Sequence, residues 1–160
     1  MRKEVKFICN LFEPEKPKDE QVGLLSRFRA LGRAIRHVQE ETGNMTEWLS
    51  KKINGDRVET EVAYEEMVWF VKAKTDDVDF FVSVIGSHPI AENQRTEHQW
   101  TLSVHDPILG FFEKRDYHKP MEKLIRRIDA VLKSEPKVRE IVWYTRTKKG
   151  DPIDEADVPI

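Results

Sequence analysis

Met67-Val68-Trp69-Phe70-Val71-Lys72-Ala73-Lys74, the link Thr75-Asp76-Asp77, and Val78-Asp79-Phe80-Phe81-Val82-Ser83-Val84-Ile85-Gly86 decide the fold. Side chains of a strand alternate between the two faces of its sheet. In the first run Met67, Trp69, Val71 and Ala73 share one face, and Val68 and Phe70 take the other. In the second, Phe80, Val82 and Val84 oppose Phe81 and Ile85. Both runs are rich in β-branched and aromatic residues, and the polar link between them predicts a hairpin. Apolar residues on both faces mean that both faces want covering. Either helices lie on both sides, or a partner closes one of them.

Downstream, Thr96–His105 alternates cleanly, with Trp100, Leu102 and Val104 on one face and Gln99, Thr101 and Ser103 on the other. This third strand completes a meander, and Ser87 to Gln94 is a longer polar connection before it. Upstream, Arg57–Glu66 alternates weakly and reads as a lead-in strand. A first strand is expected over residues 4–12, ended by Glu13-Pro14-Glu15-Lys16-Pro17, because proline cannot serve a sheet interior. Leu24, Phe28, Leu31, Ile35 and Val38 then recur at helical spacing. Asp19 is the expected N-cap of this helix and Gly43 its left-handed C-terminal residue. Thr46 would start a short second helix ending at Asn54-Gly55, with a strand over Met45–Ile53 as the alternative. Pro120 suits the first position of a further helix, with Glu122 in its first turn. Met121, Leu124, Ile125, Ile128, Val131 and Leu132 form its apolar face, and Pro136 closes it. Val138–Arg146 is a last strand, apolar on both faces and therefore inside the sheet. Strands that run consecutively, with helices at both ends, specify an α+β domain: a mainly antiparallel sheet, a central meander plus terminal strands, packed by two principal amphipathic helices. The expected domain spans residues 1–146, followed by a polar, acidic tail over 147–160.

The chain has 160 residues, of which 39% are hydrophobic and 35% charged, enough apolar content for a packed core. Its net charge of −2 gives no bulk attraction to nucleic acid or to an acidic membrane. The one cysteine, Cys9, leaves no internal disulfide and no cysteine-rich zinc site. No apolar leader or spanning run is visible, so a cytoplasmic location is expected.

Chemical motifs are sparse. The histidines His37, His88, His98, His105 and His118 lie at spacings that do not converge on a metal. His105-Asp106 matches the pair used by metal-dependent phosphohydrolases, but here it ends a strand before Pro107, where a turn explains it. Neither a nucleophile elbow nor a glycine-rich phosphate loop is present, and no cofactor is expected. Arg29, Arg33 and Arg36 form a basic helix stripe without interleaved aromatics for base stacking. Acids gather in three places: Glu65 and Glu66 before the meander, Asp76, Asp77 and Asp79 at its hairpin, and Asp154, Glu155 and Asp157 in the tail. Exposed carboxylates of this kind suit docking to a basic protein, where complementary charge sets on-rate and specificity.

The stretch His98-Gln99-Trp100-Thr101-Leu102-Ser103-Val104, then a helix, then Glu140-Ile141-Val142-Trp143-Tyr144, resembles the build of small bacterial immunity proteins. Those proteins neutralise toxins of contact-dependent growth inhibition and other polymorphic systems. The resemblance covers the second half of the chain and rests on size, composition and the strand–helix–strand ending with an aromatic pair. It implies a non-catalytic cytosolic inhibitor that covers a cognate toxin, and it assigns no individual binding residue. Two other readings stay open: an enzyme whose Glu65, Glu66, His98 or His105 converge only in three dimensions, and a nucleic-acid binder using the arginine stripe. A homodimer through the second apolar sheet face is a further expectation.

Overall fold

The computed structural model describes residues 1–9, 11, 24–55, 57–87, 99–107, 116–147 and 149–159, and among these all side chains except those of 24–35, 37 and 87. The elements are β1 (Glu4–Cys9), α1 (Leu24–Ile53), β2 (Val58–Glu65), β3 (Val68–Thr75), β4 (Val78–Ser87), β5 (Gln99–His105), α2 (His118–Ser134), β6 (Val138–Arg146) and β7 (Pro152–Ala156). They form an α+β domain around one antiparallel sheet of seven strands, in the order β2-β3-β4-β5-β1-β6-β7. The meander runs from β2 to β5, and β1 inserts between β5 and β6.

Two tight turns hold the meander. Glu66 and Met67 join β2 to β3, and Asp76 and Asp77 join β3 to β4, all four with left-handed φ between +49° and +67°. Two-residue loops with both residues left-handed match the twist of the strands they connect. Aspartate tolerates that conformation, which explains two acids at the second turn.

Both helices lie on one face of the sheet. Met45, Leu49 and Ile53 of α1, and Leu124, Ile125 and Ile128 of α2, share a core with Val71, Phe80, Val82, Leu102, Phe7 and Trp143. On β4 the residues that join the helix-side core are Val78, Phe80, Val82 and Val84, so Asp79, Phe81, Ser83 and Ile85 point to the opposite face. Trp143 is fully buried, and its Nε1 donates to Asp129 Oδ1 of α2 at 2.8 Å, fastening that helix to β6.

Several local expectations need correction. α1 is one helix of thirty residues that continues through Gly43 to Ile53. Gly43 is needed for space instead, since a Cβ there would stand 2.9 Å from Trp69 Cζ2. Thr46 is not a cap, because its buried hydroxyl donates to the Thr42 carbonyl at 2.7 Å inside the helix. The left-handed glycine beyond the helix is Gly55, at φ +111°. α2 begins at His118, so Pro120 sits third, still within the first turn, where backbone N–H groups have no helical acceptor. The described first strand is Glu4–Cys9 and Leu11 lies outside it, while residues 10 and 12 are outside the described residues. Residues 152–156, expected in the tail, pair with β6 as an edge strand. Asp19, the Ser87–Gln94 connection beyond Ser87 and the N-terminal part of the Thr96–His105 run lie outside the described residues.

Candidate protein-binding face

The sheet face turned away from the helices combines apolar rings with charges. Register fixes its layout. Ala63, Phe70 and Ser83 stand side by side across β2, β3 and β4, and Ser103 of β5 continues the row. The next row is Glu61, Lys72, Phe81 and His105. Beyond it come Glu59, Lys74 and Asp79. Phe70 meets Phe81 edge-on, with ring centroids 6.2 Å apart, and meets the His105 ring at 6.5 Å. Ile85 is 51% exposed at the end of the same strip. Neither described helix contributes to the core on this side, where Phe70 and Phe81 are half-buried and Ser83 is buried.

Its polar groups differ between the two halves. On the β1–β6 half the charges pair off. Arg146 Nε donates to Glu4 Oε2 at 2.5 Å, and this hydrogen bond raises the pKa of the guanidinium. Lys6 Nζ meets Glu155 at 2.5 Å. The Tyr144 ring lies 5.7 Å from Lys6 Nζ and 5.8 Å from the Arg146 guanidinium carbon. On the β2–β4 half, Lys72 Nζ bonds Glu65 at 3.1 Å and lies 5.8 Å from the Phe81 ring centre. Glu59, Glu61 and Asp79 are exposed there and form no ion pair with another described residue. This half therefore carries the carboxylates of Glu59, Glu61, Glu65 and Asp79 against the ammonium groups of Lys72 and Lys74, an acidic balance around an aromatic strip.

The three expected acidic clusters do not merge into one surface. Glu65 joins Glu59 and Glu61 in a stripe along β2, while Glu66 sits in the adjoining turn. Asp76, Asp77 and Asp79 lie at the opposite end of β3. There Asp76 is bonded to Lys123 of α2, and Asp77 to Lys74 at 3.5 Å. Asp154, Glu155 and Asp157 belong to the far edge of the sheet, beside β6. Asp154 is held there by Arg2 at 3.0 Å and Glu155 by Lys6, while Asp157 is exposed.

The histidines are also accounted for where they are described. His105 Nε2 pairs with Ser83 Oγ at 2.9 Å, and Ser83 is only 5% exposed. Among the described residues no carboxylate meets the other ring nitrogen, so no third group orients this pair for nucleophilic chemistry. Glu65 is turned to Lys72, and His98 lies outside the described residues. His118 stacks on Tyr117 at 5.1 Å. No group of three or more metal-ligating side chains occurs among the described residues. Asp106 bonds Lys3 at 2.5 Å, as an exposed ion pair at the end of β5. Cys9 is buried in β1, and burial pushes its thiol pKa up. That disfavours the reactive thiolate. The Ser83–His105 pair was hidden in the sequence, because only the β4–β5 register brings Ser83 beside Ser103 and His105. No helix of the described residues is long and apolar enough to cross a membrane. Comparison with protein-family models, with curated proteins and with solved structures finds no match to this chain, so the functional reading rests on the chemistry of this face.

Proposed function

We propose that the protein acts without catalysis by binding another protein, as a cytoplasmic immunity protein that covers and neutralises a cognate basic toxin domain. The observation that carries this reading is the β2–β4 half of the open face, where Phe70, Phe81 and exposed Ile85 stand among carboxylates that outnumber the local lysines. Exposed apolar patches rimmed by polar groups are characteristic of protein interfaces. Aromatic anchors at the centre of such a patch carry most of the binding energy, and the rim charges select the partner. A basic surface fits the excess of acid on this half. The resemblance of the second half of the chain to immunity proteins supports the same reading.

The test is co-expression with the product of the adjacent reading frame, which the proposal requires to be a toxin. That product should arrest growth alone and be harmless when the chain is present. The double variant Phe70→Asp, Phe81→Asp should keep its circular dichroism spectrum and weaken binding by about 30-fold or more. Absence of binding to that neighbour, or undiminished binding by the double variant, overturns the proposal. A chain that runs as a dimer on size exclusion, and as a monomer after Phe70→Asp, would instead assign this face to a second copy.

A further inference from the structure

The outer edge of β2 is built to accept one more strand. Among the described residues no strand pairs with it. The direction of its backbone groups can be read from Val58, which exchanges both hydrogen bonds with Gly55 on the side away from β3, at 2.8 and 2.9 Å. Alternate residues of a strand aim their N–H and C=O groups to the same side. Thr60, Val62 and Tyr64 therefore present theirs outward, with no bond to another described residue. The side chains on the two flanks of this edge are opposite in kind. Glu59, Glu61 and Glu65 project on the open face, while Val62 and 48%-exposed Tyr64 lie on the helix side. Tyr64 is steadied there by Trp69, with ring centroids 4.8 Å apart.

We propose that this edge takes up an extended segment of a partner protein as an added strand, with Lys or Arg at alternate positions facing the three carboxylates and apolar residues between them. The inference rests on the protein-binding reading above and names how the partner is held. Strand addition draws affinity from main-chain hydrogen bonds and specificity from the alternating side chains. Cross-strand pairs of opposite charge are favourable and like charges are not. The same rule disfavours a second copy of this chain. Any antiparallel register that pairs Val62 with Thr60, Val62 or Tyr64 of another copy sets a glutamate opposite a glutamate.

The probe is an acetylated peptide of about eight residues, one strand long, alternating lysine with valine or threonine. Its binding to the full chain is followed by fluorescence anisotropy. Glu59→Gln, Glu61→Gln and Glu65→Gln should each weaken it about two- to fivefold, and added salt should weaken it further. Val62→Pro should abolish it. The Val62 N–H points outward, so proline there breaks no bond of the sheet, and an unchanged melting curve verifies the fold. In either strand orientation one alternate set of peptide N–H groups faces β2 and the other faces solvent. N-methylation of one set should therefore abolish binding and that of the other leave it intact. Failure of the peptide to bind, equal effects of the two methylated peptides, or no effect of Val62→Pro overturns the edge proposal. Continued loss of toxin binding by Phe70→Asp, Phe81→Asp would then show the open-face reading standing without it.

Discussion

Gly43 offers a test in which two known effects pull in opposite directions. It lies inside α1, where alanine is favoured over glycine by about 1 kcal/mol. On an exposed helix, Gly43→Ala would therefore stabilise. Here the new methyl would stand 2.9 Å from Trp69 Cζ2, 3.2 Å from Cε2 and 3.3 Å from Cη2. Carbon atoms pack at about 3.5–4.0 Å. The indole also contacts Tyr64, so a swing away from the methyl loses that aromatic contact. Overpacking of this kind costs about 1–3 kcal/mol, so the net expectation is a loss of about 1 kcal/mol. Trp69→Leu removes the obstacle, and in that background Gly43→Ala should instead stabilise by about 1 kcal/mol. The assay is urea unfolding followed by far-ultraviolet circular dichroism, because loss of Trp69 alters fluorescence. The informative quantity is the coupling between the two sites, about 2 kcal/mol. A stabilising Gly43→Ala in the parent chain, or the same effect in both backgrounds, refutes the argument that the ring demands glycine.

Three further outcomes are expected. Trp143→Phe removes the indole donor to Asp129 and should destabilise by about 1.5–3 kcal/mol, read as a lower urea midpoint at unchanged slope. Burial raises the Cys9 thiol pKa, so the folded chain keeps a proton that the unfolded chain loses. That contribution to stability is intact below the ordinary thiol pKa of about 8.5 and declines as pH rises through and above it, by at most about 1.4 kcal/mol per pH unit. Urea midpoints from about pH 7.5 to about pH 10 should show this slope in the parent and not in Cys9→Ala. Arg2 reaches the Asp154 carbonyl at 2.6 Å, its carboxylate at 3.0 Å and the Val158 carbonyl at 3.0 Å. Arg2→Ala should speed amide exchange in β7 by about three- to tenfold while leaving β3 and β4 protected.

The parts of this fold that were legible in the sequence are those set by neighbours along the chain. Period-two alternation and short polar turns located the meander, and Val138–Arg146 was placed inside the sheet because both its faces are apolar. Apolar residues on both faces were legible too, since Phe70, Phe81 and Ile85 fall opposite Val71, Phe80 and Val82, but whether helices or a partner would cover the second face was not. What stayed hidden depends on distant contacts. Gly43 carries the local mark of a helix end, and only the approach of Trp69 shows why glycine is there. β7 has a single large apolar residue, Ile153, and its place comes from β6 and from Arg2 across the whole length of the chain. The acidic clusters looked free because Lys123, Arg2 and Lys6, which hold Asp76, Asp154 and Glu155, are remote in sequence.

The position of β1 bears on how the molecule is made. Val5 lies opposite Leu102 on one side and Trp143 on the other, so this strand fills a slot whose walls are translated much later. Closing such long loops is slow, because chain entropy is spent before the contacts return it. While the ribosome is still extending the polypeptide, Val5, Phe7 and Cys9 have no β5 or β6 to meet, a sticky segment of the kind chaperones hold. Among the described strands, the first to be synthesised thus waits for β5 and β6 before it can be locked in.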